Sequence, residues 1–362
     1  MRVIPPLTIT DALLTDASAP EDPTYGSTVA EYAAGTTYAL DEKAWSGTVG
    51  SVINVYRSLQ AGNIGNTPAS SPDWWSDLGE TYSIYGSGVT YALGDIVINI
   101  TTHEAYESLQ AANLNHDPTL AASSAWWLSL GPTNRWAMFD QIRNTQTVGP
   151  TPLTVIITPG ERINSVALSG ILAESARVLV TSVSGGGGVF DSTQDLTSRQ
   201  VLNWYDYFFL PFVYKPSTVF FDLPPYSDAI VYVQVSRSGA GNVWLGECVL
   251  GTYVNIGDVQ YEAEDDVLNF STITRNSFGI ATLVKRLNVP KRTQTLFATK
   301  SQINTIRQLR DRINGVPAFW AGLNNIADDY FESMSVFGIY RRFVVNDKYP
   351  NHIIVSLELE EI

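Results

Sequence analysis

Tyr56-Arg57-Ser58-Leu59-Gln60-Ala61-Gly62-Asn63 returns fifty residues later as Tyr106-Glu107-Ser108-Leu109-Gln110-Ala111-Ala112-Asn113, with six of the eight positions identical. The agreement extends on both sides. Thr37-Tyr38-Ala39-Leu40 recurs as Thr90-Tyr91-Ala92-Leu93, and Pro68 and Pro118 follow at the same distance from their Asn. Each copy closes on a Trp pair and Leu-Gly, Trp74-Trp75 to Leu78-Gly79 and Trp126-Trp127 to Leu130-Gly131. Order, spacing and residue choice repeated together define two tandem modules, residues 31–80 and 81–131.

Each module is near the size at which a disulfide or metal is normally needed. The chain has a single cysteine, Cys248, so large aromatics must supply the cores. Tyr38, Tyr56 and Trp75 are the expected core of the first module, and Tyr91, Tyr106 and Trp127 that of the second. On a strand Trp74 and Trp126 would face the other way. With Tyr32 and Tyr85 they are the candidate residues for surface stacking. Short runs such as Asp95-Ile96-Val97-Ile98 between Gly, Asn and Pro turns predict small all-β units.

Outward from the repeat, residues 1–30 read as an N-terminal arm. Residues 132–152 read as a connector whose apolar centre, Trp136 to Phe139, docks against a module. Residues 153–269 contain Val155-Ile156-Ile157, Val178-Leu179-Val180 and Ile230 to Val235 between turn clusters, which predicts a jelly-roll-like β-sandwich. Residues 270–362 read as a C-terminal α+β assembly domain. There Ile303, Ile306, Leu309 and Ile313 share one helical face that ends at Gly315, and Ile353 to Glu360 ends as an alternating strand. The expected class is mainly β.

Of 362 residues, 44% are hydrophobic and 16% charged, which excludes wholesale disorder. The N-terminus lacks a signal-peptide pattern, and no apolar run reaches membrane-span length, so neither conventional secretion nor membrane insertion is expected. The net charge is -14, yet between Arg275 and Arg312 nine basic residues meet one acid, Asp311. The other 324 residues carry -22, which repels phosphate and argues against nucleic acid. Lys285, Arg286, Lys291, Arg292, Arg307, Arg310 and Arg312 are therefore assembly candidates, docking with the helix face on an acidic neighbour.

Other chemistry is sparse. His103, His116 and His352 lack metal-ligand spacing, and Gly185 to Gly188 lacks the Lys-Ser or Lys-Thr of a phosphate loop and reads as a flexible loop. Glu262, Glu264, Asp265 and Asp266 read as a solvated acidic face. No metal or cofactor is expected, and neither Gly-x-Ser-x-Gly nor a closely spaced catalytic acid run occurs, so an enzyme is not expected.

Tyr91, Gly94, Asp95, Tyr106, Ser108, Pro118, Trp127, Leu130 and Gly131 together resemble the small carbohydrate-binding modules of families 5 and 12, the chitin- and cellulose-binding domains of bacterial chitinases. The first copy has Asp41-Glu42 where the second has Gly94-Asp95. The resemblance implies an exposed Trp near the start and an aromatic pair after the Tyr-x-Ser strand. Here those positions hold Tyr32 and Tyr85, then Leu59-Gln60 and Leu109-Gln110. With Pro132-Thr133-Asn134-Arg135-Trp136-Ala137-Met138-Phe139-Asp140 directly after the second module, the layout resembles tail-tip or baseplate proteins of tailed bacteriophages. That implies a virion component assembled in the host cytoplasm, in rings of three or six copies. Its partners would be other tail proteins, copies of itself and bacterial surface polysaccharide. A stand-alone glycan-binding adhesin and a polysaccharide-degrading enzyme are the competing classes. The missing signal peptide and the missing Asp-x-x-Asp-x-Asp-x-Glu run favour the virion component.

Overall fold

The strand Ala318–Ala321 is buried at every residue, and its alternating side chains enter two different cores. Trp320 packs with Met1, Val3, Leu296, Ile306, Leu309 and Leu357, while Phe319 and Ala321 pack with Ile4, Ala167, Val219, Val249 and Phe337. This strand lies inside an antiparallel sheet whose neighbours are, in order, Val254–Asn255, Arg2–Ile4, Ala318–Ala321, Ser335–Asn346, His352–Glu361, Asn288–Thr299 and Asp258–Val259, with Glu264–Asn269 also pairing Asn288–Thr299. The helix Ile303–Arg312 covers one face through Ile306 and Leu309. The other face meets the sheet Ser217–Phe221, Ser165–Ser169, Glu247–Gly251. That sheet in turn shares a third core with the sheet Gly187–Asp195, Ser175–Ser182, Ala229–Ser236, Leu153–Ile157, Leu14–Ala17. Because Ser165–Ser169 and Glu247–Gly251 have apolar layers on both sides, all ten of their residues are buried.

The structure, a computed structural model, describes residues 1–21, 30–48, 50–142, 144–198, 202–210, 212–239, 241–261, 263–326, 328, 330–347 and 349–362. It is mainly β, built from several sheets.

Four expectations are corrected by these pairings. Residues 1–21 are not an arm, since Arg2–Ile4 pairs with Ala318–Ala321 and Leu14–Ala17 pairs with Leu153–Ile157. The boundary expected at 269/270 falls earlier, because Val254–Asn255, Asp258–Val259 and Glu264–Asn269 already belong to the C-terminal sheet. The connector docks on more than a module: Trp136 and Met138 enter the core of the middle region, and Thr147–Pro150 pairs with Asn242–Leu245. Gly185 and Gly186 lie in a hairpin turn and Gly187 and Gly188 open its second strand, the turn being held by Asp228, which accepts from the hydroxyls of Ser182 and Ser184 at 2.7 and 2.6 Å.

Each repeat copy forms its own four-stranded sheet, Ala30–Glu31, Lys43–Gly47, Ile53–Ser58, Trp75–Thr81 in the first and Ser83–Ile84, Ile96–Asn99, Glu104–Ser108, Trp127–Pro132 in the second. The shared residues explain themselves through paired contacts. Leu78 and Leu130 are the extra residues of matching β-bulges, and the following Gly79 and Gly131 take φ of +109° and +93°. Asp41 (φ +66°) repeats the backbone of Gly94 (φ +86°). The Glu42 carboxylate accepts from Ala39 N at 2.7 Å as Asp95 accepts from Ala92 N at 2.7 Å, so the change from Gly94-Asp95 to Asp41-Glu42 preserves the turn.

Candidate functional site

The aromatic cores are superimposable in kind. Tyr38, Tyr56 and Trp75 are buried in the first module and Tyr91, Tyr106 and Trp127 in the second. Trp75 Nε1 donates to Asn66 O at 2.8 Å and Trp127 Nε1 to His116 O at 2.6 Å, so each core indole has its polar tip satisfied. The buried side chains of Asn63 and Asn113 donate to Ser58 Oγ and Ser108 Oγ at 3.1 and 3.0 Å, tying the repeated Asn to the repeated Ser.

Tyr32 and Tyr85 are half-buried, not free-standing. Each stacks on a core tyrosine, Tyr38 at 5.8 Å and Tyr91 at 5.9 Å, and meets its core Trp edge-on at 6.0 Å. Both hydroxyls are buried without a hydrogen-bond partner. Burial, with Asp117 adding to it, pushes the Tyr85 phenol up.

Trp74 and Trp126 are also half-buried, and each carbonyl accepts from the next strand's Leu, Leu59 N at 2.9 Å and Leu109 N at 2.8 Å. The pair positions thus divide. Gln60 and Gln110, themselves exposed, bond Asp73 O and Ala125 O at 3.0 and 2.8 Å, and Leu59 and Leu109 are exposed at 40% and 41% without such a tie through their side chains. Exposed Leu40 and Ile64 in the first module recur as Leu93 and Leu114 in the second. In the second module alone, the His116 ring lies parallel to Trp126 at 3.9 Å. Trp74 and Trp126 also pack against the aromatic core of their module, beside exposed Leu59 and Leu109, so they do not face away from the core as the strand alternation suggests.

The opposite end of each last strand is the attachment point, and Glu21 serves both. Thr81, at the end of Trp75–Thr81, donates to Glu21 O. Thr133, just after Trp127–Pro132, donates to Glu21 Oε1 at 2.9 Å. The buried carboxylate also meets His103 Nδ1 at 2.8 Å and Trp136 Nε1 at 2.9 Å. His103 lies parallel to Trp136 at 3.9 Å and reaches Asp11 at 3.3 Å. Burial alone would push the His103 imidazolium down, but the two carboxylates outweigh it and hold its pKa above the usual value. At about 3.3 Å per residue, the Trp74 and Trp126 ends lie roughly 20 Å from this anchor.

The basic belt does not form one surface. Lys291 and Arg292 face Glu358 and Asp265 at 3.8 and 3.3 Å, and Arg310 bonds Asp311 at 3.0 Å. Asp265 of the acidic run is thus an ion-pair partner as well as a solvated group, and Glu262 lies outside the described residues. Lys285 and Arg286 lie at the base of an exposed ribbon, and Arg307 and Arg312 on the wet side of the helix. The helix face itself, Ile306, Leu309 and Ile313, is buried inside its own domain, which corrects the expectation that it docks on a neighbour.

Among the described residues, no cluster of His, Cys, Asp and Glu could hold a metal ion, and no helix is long and apolar enough to cross a membrane. No protein-family model matches the sequence, and no curated protein matches it.

Proposed function

We propose that this chain is a structural virion protein of a phage tail tip or baseplate, with a jelly-roll-like β-sandwich in its middle region and two carbohydrate-binding-like modules for attachment to bacterial surface polysaccharide. The observation that carries the reading is the duplicated platform. Trp74 with Leu59, and Trp126 with Leu109, each sit at the end of a module away from the Glu21 anchor. Duplication supports binding through multiplicity: platforms lacking the aromatic pair bind weakly one at a time, and many copies on one particle raise the effective affinity by 10²–10⁴. Exposed cations at Lys285, Arg286, Arg307 and Arg312 support contact with acidic neighbours in the particle.

A glycan array carrying chitin oligomers and bacterial surface polysaccharides, probed with assembled chain, tests this. The assembled parent binds, and the Trp74→Ala/Trp126→Ala variant loses binding while keeping its fold. A silent parent, or an equally bright variant, contradicts the attachment role. Gold-labelled antibody against residues 31–131 should decorate the tail tip of the source particle.

A further inference from the structure

Residues 202–210 and 212–214 carry six of the twelve exposed aromatic side chains among the described residues. A stem of Thr197–Ser198 paired with Val213–Tyr214 supports the helix Trp204–Phe209, none of whose residues is buried. Asn203 caps it by accepting from Asp206 N at 3.0 Å, and Asp206 accepts from Leu202 N at 3.1 Å, so the loop has a defined shape. Trp204, Tyr205, Tyr207, Phe208, Phe209 and Phe212 are between 55% and 78% exposed, and ring contacts within the helix include Trp204 with Phe208 and Tyr205 with Phe209. At about 150–250 Å² per aromatic side chain, they present roughly 800 Å², which is one partner's share of a standard protein–protein interface.

A second element has the complementary character. Beyond Glu264–Asn269 the chain runs out as a two-stranded ribbon, Thr272–Arg275 with Ala281–Val284, in which all eight residues are exposed. Ile273 pairs directly with Leu283, and Phe270, Phe278, Ile280 and Leu287 add apolar surface between 54% and 87% exposed. A lone two-stranded hairpin is marginal in water, so this one lacks a surface to lie on. Residues 270–287 hold Arg275, Lys285 and Arg286 and no acid, leaving -17 on the other 344 residues. Both protrusions leave from the walls of one cleft of about 340 Å³, with Pro216 below the aromatic loop and Leu287 to Pro290 at the base of the ribbon.

We propose that the ribbon of one copy lies on the aromatic loop of a second copy. Aliphatic side chains and three cations on the ribbon meet ring faces, whose quadrupoles attract cations, together with the single acid Asp206. The remaining surface of the second copy is acidic and adds to the attraction. This deepens the assembly element of the reading above and is independent of what the modules bind.

Sedimentation velocity on the full chain tests the pairing. The parent sediments as an oligomer. A loop variant, Trp204→Ser/Phe208→Ser/Phe209→Ser, and a ribbon variant, Ile273→Ser/Phe278→Ser/Leu283→Ser, alter only exposed positions, keep the parental circular dichroism, and each lose association at least about 100-fold. Mixed in equal amounts they associate again, because the loop variant retains an intact ribbon and the ribbon variant an intact loop. A monomeric parent at 100 µM, a single variant that stays assembled, or a mixture that stays monomeric overturns the proposal. So does a monomeric parent that floats with phosphatidylglycerol–phosphatidylethanolamine vesicles, since lipid would then be the occupant. A parent that assembles but is silent on the glycan array leaves this pairing intact and removes the attachment reading. A monomeric parent that binds glycan does the reverse.

Discussion

Trp75 and Trp204 are the same residue put to opposite uses. Trp75 is 3% exposed, opens the strand Trp75–Thr81, meets Tyr32 and Tyr38 edge-on and donates its N–H to a backbone carbonyl. Trp204 is 78% exposed and touches Tyr207 and Phe208 of its own loop. The difference teaches that aromatic content alone does not measure a core. A ring stabilises the fold where the strand's two-residue period delivers it to a shared interior and a carbonyl waits for its polar tip. Where five rings crowd a short helix that buries none of them, the apolar surface stays exposed and adds nothing to the core.

The sharpest way to break this contrast is truncation. Trp75→Ala or Trp127→Ala should each cost about 3–5 kcal/mol, read as lost hydrogen-exchange protection confined to the amides of that module. Trp204→Ala should stay within about 0.5 kcal/mol of the parent. Equal costs at the two sites would erase the distinction.

The core contains the converse case, a polar group set among apolar ones. Glu247 lies on a strand with no exposed residue, and burial, reinforced by Asp140, pushes its carboxyl up to about 9. Between the ordinary value of 4.5 and about 9, the folded chain keeps a proton that the unfolded chain has lost, so this group lowers stability progressively as pH rises across that window. Glu247→Gln should remove that slope and stabilise by roughly 1–3 kcal/mol at pH 8 in urea unfolding. A variant that is less stable than the parent at pH 8 would show that the carboxylate is needed there.

Smaller effects test whether the two modules are equivalent. Asn63→Ala and Asn113→Ala should cost about 1–2 kcal/mol each: both side chains bond the corresponding Ser and Trp carbonyl, and the first should cost more because Asn63 Oδ1 also accepts from Asn66 Nδ2 at 2.9 Å while Asn113 Oδ1 has no donor among the described residues. The smallest effect is at the anchor of the second module. The His103 pKa is raised, so its ion pairing with Glu21 and Asp11 is fully present below about 6.5 and is lost as pH rises through the folded value. In a Glu247→Gln background, His103→Gln should flatten a residual stability difference of about 1 kcal/mol between pH 5.5 and 8, measured by thermal unfolding.

What was legible in the sequence follows from range. The repeat could be read because Tyr, Asn, Leu-Gly and Trp each answer a local demand: a core ring, a tie to Ser, a bulge and a second core ring. The helix face at Ile306, Leu309 and Ile313 was legible from its period, but not what covers it, since Trp320 and Leu357 arrive from separate strands. The pairing of Arg2–Ile4 with Ala318–Ala321 joins segments more than 300 residues apart, and three residues carry too little pattern to declare a partner. The ribbon misleads for another reason: Ile273, Leu283 and Val284 have the composition of a buried strand and are exposed. Trp204 to Phe212 did leave a signal, six aromatics in nine residues with no strand period, a pattern that a half-buried strand does not explain.

On the pairing proposed above, the chain divides its apolar surface between folding and association. The most direct measurement of this division pairs urea unfolding with sedimentation velocity on two full-length variants, Trp75→Ala and Trp204→Ser/Phe208→Ser/Phe209→Ser. The account predicts that the first variant unfolds its module at lower urea yet still assembles, while the second unfolds like the parent and sediments as a monomer. A loop variant that unfolds early, or a Trp75 variant whose only defect is assembly, would contradict it.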